Sequence, residues 1–172
     1  MTNPNEDVQV NFFAEWASNL IQTFLDRDLE FKSRTEYYDG SGTLTLRLRE
    51  RPVYTTPTIQ CFVDQTGYYG ATSGAFLSVT QLEYGKDFFL KIDSDNGVGK
   101  SGLLIRNGNY WPKVKARQTG LLSPFISPGY GCVKVTYSAG YTVDTLPSQI
   151  RAACDLLVAR LRYLFPLGME VV

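Results

Sequence analysis

The chain has 172 residues, 44% of them hydrophobic and 20% charged, and its 17 basic and 17 acidic side chains balance to zero. That length and composition fit one globular domain with a core of its own and exclude a largely disordered chain. Zero net charge excludes a protein that grips nucleic acid over its whole surface, which has to be basic.

The sequence contains no histidine, so the commonest general base and the commonest zinc ligand are both missing. No Ser or Cys nucleophile has a histidine base to pair with. No catalytic residue, cofactor site or metal site is predicted, and the chain reads as a non-enzyme. Cys61, Cys132 and Cys154 are odd in number, widely spaced and set among apolar neighbours. That is the pattern of buried free thiols in a reducing compartment. The opening MTNPNEDVQV lacks the basic-then-apolar order of a signal peptide. No run approaches the roughly 18 apolar residues of a membrane span. A soluble, cytosolic protein with no membrane partner is expected.

In chain order, a helix is predicted over about residues 7–29, uninterrupted by Gly or Pro. Phe13, Ala17, Leu20, Ile21 and Phe24 form its apolar face, and Glu15, Asn19, Gln22 and Asp26 take the other. At Thr35 the texture changes. TEYY and TLTLRLRE are extended pieces around the Gly-rich DGSG, the pattern of a hairpin. Leu44, Leu46 and Leu48 alternate with Thr45, Arg47 and Arg49 as on a half-buried strand. Arg47, Arg49 and Arg51 thus share a face, which either touches DNA or solvates the strand against edge aggregation. Pro52 and Pro57 break the run, and TIQCFVD follows as a strand with Ile59, Cys61 and Val63 on one side.

Residues 65–78 are too rich in Gly, Ser and Tyr for a regular element, so a long loop is expected. Tyr68, Tyr69 and Phe76 cannot all be core, and exposed aromatics are frequent at protein interfaces. Tyr68 and Tyr69 are therefore candidate docking residues. DFFLKID and GLLIRNGNYW make a strand pair joined by SDNGVGKS. GVGKS is not a phosphate loop, because Ser94 stands where the first glycine is needed and a strand follows instead of a helix. Asp93 and Asp95 mimic the start of a calcium loop, but Leu104 occupies the closing glutamate position. Both features read as turns. In LLSPFISPG, Leu121, Leu122, Phe125 and Ile126 form the apolar tip of a Pro- and Gly-bounded loop, a second docking candidate.

The closing unit, residues 133–165, reads as strand, Gly-containing turn and a long helix over about 147–165. Ile150, Ala153, Cys154, Leu157, Leu161 and Leu164 recur at three- and four-residue steps and form a core-facing stripe. Ala152, Leu156, Ala159 and Tyr163 form a second row. At about 100° per residue it lies roughly opposite the first. The second row needs a partner of its own, either another subunit or more of the same domain. The layout is a single α+β domain: a first helix, a mostly antiparallel β region over about 35–140, and a long last helix packed with the first.

Taken together, EYYDGSGTLTLRLRERPV, VTYSAGY and LPSQIRAACDLLVARL resemble the head–tail connector (adaptor) family of tailed bacteriophages, in the same order and spacing. The resemblance spans about residues 12–165. It implies a structural protein of the virion neck, assembled in the bacterial cytoplasm and without catalysis. Such proteins form a ring, typically dodecameric, that joins the portal to the stopper or tail-completion proteins and extends the DNA channel. DNA would pass through the lumen without specific binding. The rivals are a nucleic-acid- or nucleotide-binding module using Lys100, Arg47 and Arg49, or another neck or tail-completion component.

Overall fold

The computed structural model describes residues 4–65, 68–70, 73–94, 96–113 and 130–165. The fold is α+β, with an N-terminal helix, antiparallel sheets, and a C-terminal helix packed on the first. The chain forms two compact units, one holding both helices and the other Glu30–Gly140. No helix among the described residues is long and apolar enough to cross a membrane.

In the helical unit, α1 runs Pro4–Leu25, with proline at the first position, where its missing N–H costs no helical bond. It stops four residues short of the expected end. Asp26 turns to φ 50°, and its N–H donates to Thr23 O while the Arg27 N–H donates to Gln22 O. These two bonds and the left-handed residue make a Schellman termination. Helix α2 is Ser148–Leu164, and Pro147 caps it by accepting from the Ile150 and Arg151 amides. Ala17 and Phe13 of α1 are buried, as is Leu161 of α2. Phe13 meets the Phe165 ring at 6.4 Å, and Ser18 Oγ lies 3.9 Å from the Cys154 sulfur.

The larger unit has nine strands among its described residues. They are β1 Lys32–Tyr38, β2 Thr45–Arg47, β3 Val53–Tyr54, β4 Gln60–Val63, β5 Gln81–Leu82, β6 Phe88–Leu90, β7 Val98–Gly99, β8 Leu103–Arg106 and β9 Val133–Ala139. Strand β9 is the spine of a six-stranded sheet. Antiparallel β1 runs along one side from Lys32↔Ala139 to Tyr38↔Val133. On the other side β4 and β3 divide its length, and β5 and β7 extend them. A three-stranded sheet, β2-β8-β6, supplies Leu46, Leu104, Phe88 and Leu90 to the same core as Val133 and Val135. Burying each such side chain stabilises the fold by about 1.5–3 kcal/mol.

The expected hairpin over residues 35–49 does not form. Strands β1 and β2 enter different sheets, and the DGSG turn between them docks elsewhere. A Cβ on Gly40 would lie 1.9 Å from Pro112 O, so only glycine allows that backbone approach. The Gly42 N–H donates to the same carbonyl at 3.0 Å. The Gly131 N–H donates to Asp39 Oδ1 at 2.7 Å. Leu46 and Leu48 keep the predicted inward face, while Leu44, ahead of the strand, is exposed.

Candidate assembly interface

Helix α2 carries its two apolar rows on different sides. Ile150, Cys154 and Leu157 are half-buried and Leu161 is buried, so most of the first stripe is covered as predicted. Ala153 and Leu164, from the same stripe, are exposed. All four residues of the second row are exposed: Ala152, Ala159, Leu156 at 71% and Tyr163 at 76%. The Arg160 guanidinium lies 5.7 Å from the Tyr163 ring centroid, which steadies the ring on the surface.

Helix α1 differs from its predicted pattern. Phe24, placed on the core face, is 86% exposed, and Leu20 is half-exposed. Both belong with Ile21, Leu25, Ile150 and Leu157 to the walls of an apolar groove that the two helices leave open. A second feature went unnoticed in the sequence. Val8, Phe12 (53% exposed) and Trp16 (47%) recur every four residues and form an exposed row beside the buried Phe13 and Ala17, with the Phe12 and Phe13 ring centroids 6.0 Å apart. The signal was that spacing, hidden because the neighbouring residues Glu15 and Asn19 mark the face as polar.

In the larger unit the aromatics of the 65–78 stretch differ in exposure. Phe76 is buried, its N–H donates to Asp64 Oδ2 at 3.1 Å, and its ring sits 5.6 Å from Tyr37. Tyr69 stays partly exposed and meets Tyr37 edge-on at 6.0 Å, with its N–H donating to Gly131 O. The Tyr68 side chain, Leu121, Leu122, Phe125 and Ile126 lie outside the described residues.

The three arginines part company. Arg47 ends β2 and points to solvent, and Arg49 lies 5.4 Å over the Tyr38 ring, still exposed. Arg51 is beyond the strand and half-buried, with its alkyl chain against Gly102. A shared stripe therefore reduces to Arg47 and Arg49. GVGKS forms β7 and the turn into β8, with the Asp93 carboxylate accepting from the Lys100 and Ser101 amides. It offers those amides to its own aspartate, not to a phosphate.

Beneath Arg49 lies a buried polar cluster. The Tyr38 and Tyr137 hydroxyls both donate to Glu36 Oε2, the second at 2.7 Å. In turn the Arg49 N–H donates to Tyr38 Oη at 3.0 Å and the Glu50 N–H to Tyr137 Oη at 3.2 Å. One carboxylate and two phenols thus tie β1, β9 and the segment after β2 together. Burial, reinforced by the bond to Glu36, pushes both phenols well above their ordinary range. Burial likewise pushes the free thiols of Cys61 and Cys132 up to about 12 and about 11. Cys154, the third free thiol, is only half-buried.

No family model matches the chain, and no curated protein matches it.

Proposed function

We propose that the chain is the ring-forming subunit of a tailed-phage head–tail connector, an adaptor that joins the portal to the stopper or tail and extends the DNA channel. The observation that carries this reading is the exposed second row of α2: Ala152, Leu156, Ala159 and Tyr163. An apolar row left open on a helix whose other side is already packed marks a contact with another chain. The sequence resemblance names the kind of assembly: a ring in the virion neck, dodecameric in the typical case, acting without catalysis.

Electron microscopy of the protein mixed with its portal tests the reading directly. A ring of added density at the portal's tail-facing end is the expected image, and a bare portal under saturating protein refutes it. Ala159→Glu should leave the chain folded by circular dichroism and abolish the ring, because the carboxylate would be buried without a partner. Rings at wild-type yield would remove the α2 row from the interface.

DNA is expected to slide through such a ring, not to be held by it. With zero net charge the chain offers no global attraction to phosphate, and Arg47 and Arg49 provide two local contacts at most. Fluorescence anisotropy should find the free chain barely bound to duplex DNA at physiological salt. Replacing Arg47 and Arg49 by Ser should leave ring assembly unchanged and cost about 0.5–1 kcal/mol of stability, mainly from the lost stacking on Tyr38. Tight, salt-sensitive binding abolished by that double change would favour a DNA-binding module instead.

A further inference from the structure

The helical unit exposes two unlike apolar rows. On α1 the row is Val8, Phe12 and Trp16, on α2 it is Ala152, Leu156, Ala159 and Tyr163. At about 100° per residue the α2 row lies roughly opposite Ile150, Cys154, Leu157 and Leu161, and the α1 row lies about 120° round its helix from the buried Phe13 and Ala17. The two rows therefore open on different sides of the helix pair.

We propose that successive copies of the chain associate head to tail, with the α1 row of one copy seated on the α2 row of the next. This rests on the connector reading and adds to it the surface that receives the α2 row. Three features favour unlike pairing over like. The first is shape: α1 presents the bulky rings of Phe12 and Trp16, whereas α2 presents Ala152 and Ala159 on either side of Leu156. Rings fill the shallow places over alanines, while α2 on α2 would set small residues against small ones and α1 on α1 would crowd rings. The second is charge: Glu15, the charged residue of α1 that flanks its row, is acidic, while Arg160, Arg162 and Asp155 flank the α2 row with a positive balance. Pairing like faces would oppose like charges, and pairing unlike faces matches them. The third is symmetry. Two different faces on one unit repeat the same contact from copy to copy, an arrangement that does not stop at a two-fold dimer and closes as a ring when the rotation between copies allows it. Exposed Trp and Phe at the centre of a small patch are also the residue types that dominate interface energetics.

Complementation of two blocked variants tests the proposal. Trp16→Glu destroys the α1 face and keeps the α2 face, and Ala159→Glu does the reverse. Each alone should be a folded monomer by circular dichroism and analytical ultracentrifugation, a complete loss of the wild-type oligomer. Mixed in equal amounts, they should form a species of twice the monomer mass and nothing larger, because one intact interface remains between them. Phe12→Glu with Leu156→Glu, at more exposed positions on the same two faces, should repeat the result and replace any variant that fails to fold. If Trp16→Glu assembles normally while Ala159→Glu does not, the head-to-tail proposal is overturned and the α2 contact survives. If Ala159→Glu assembles normally, that α2 contact falls with it. Two monomeric variants that stay monomeric when mixed, or a wild-type chain that stays monomeric at high micromolar concentration, also overturn the proposal.

Discussion

Gly140→Ala should all but abolish folding of the β unit. Gly140 follows β9 at φ 111°, a backbone conformation closed to side chains. An added Cβ would lie 2.3 Å from the Glu30 carbonyl oxygen and 2.5 Å from its carbon. Both atoms are backbone, so no rotamer change relieves the clash. The Gly140 N–H also donates to Pro52 O at 3.0 Å, and any shift that makes room for a methyl group lengthens that bond. The expected loss is about 4–5 kcal/mol, at the extreme of single substitutions and close to the whole stability of a small domain. Urea denaturation followed by far-ultraviolet circular dichroism should show either no cooperative transition or a midpoint shifted strongly downward. A midpoint near that of the wild type would mean that the chain turns after β9 by another path.

How much of this was legible in the sequence depended on whether the controlling contacts were local. The α2 rows were readable because a helix writes its faces at a fixed period, and side chains three and four apart lie together whatever the rest of the chain does. Strand existence was readable for the same reason at β4, β6 and β8. Pairing was not. The partner of β1 is β9, joined through Thr35↔Thr136, whose paired hydroxyls are 101 positions apart in the sequence. A Gly-rich turn next to Thr35 pointed instead to a local hairpin, and nothing in DGSG records that Gly40 must fit against Pro112. Phe76 was read as surplus aromatic in a loop, yet one carboxylate, Asp64, and one positive φ are enough to turn it inward. The α1 row was missed because Glu15 and Asn19 interleave it, so composition outweighed the four-residue spacing of Val8, Phe12 and Trp16.

Alkaline pH should unfold the β unit well before it affects the helices' own hydrogen bonds. The argument starts from four buried acids that are neutral in the fold. Tyr38 and Tyr137 lie above the ordinary phenol value of 10.0, pushed there by burial and by bonding to Glu36. Cys61 and Cys132 move from 9.0 up to about 12 and about 11, chiefly by burial. In each case the folded state holds its proton more tightly than the unfolded chain does. Their contribution is therefore fully present below the unfolded values and is lost as pH rises through them towards the folded ones. Each group that has lost its proton only in the unfolded chain costs about 1.4 kcal/mol per further pH unit. Urea midpoints should be flat to about pH 9 and then fall with increasing slope. The part of the tyrosinate absorbance that Tyr38→Phe and Tyr137→Phe remove should appear together with unfolding, not ahead of it. Tyr137→Phe should flatten the alkaline slope, because one of the linked protons is gone. At neutral pH the same change should cost about 1–3 kcal/mol, since Glu36 and the Glu50 amide lose a partner in a buried site. An unchanged midpoint up to strongly alkaline pH, or ionisation of Tyr38 or Tyr137 in the folded protein near the ordinary phenol value, would mean that the cluster is open to water.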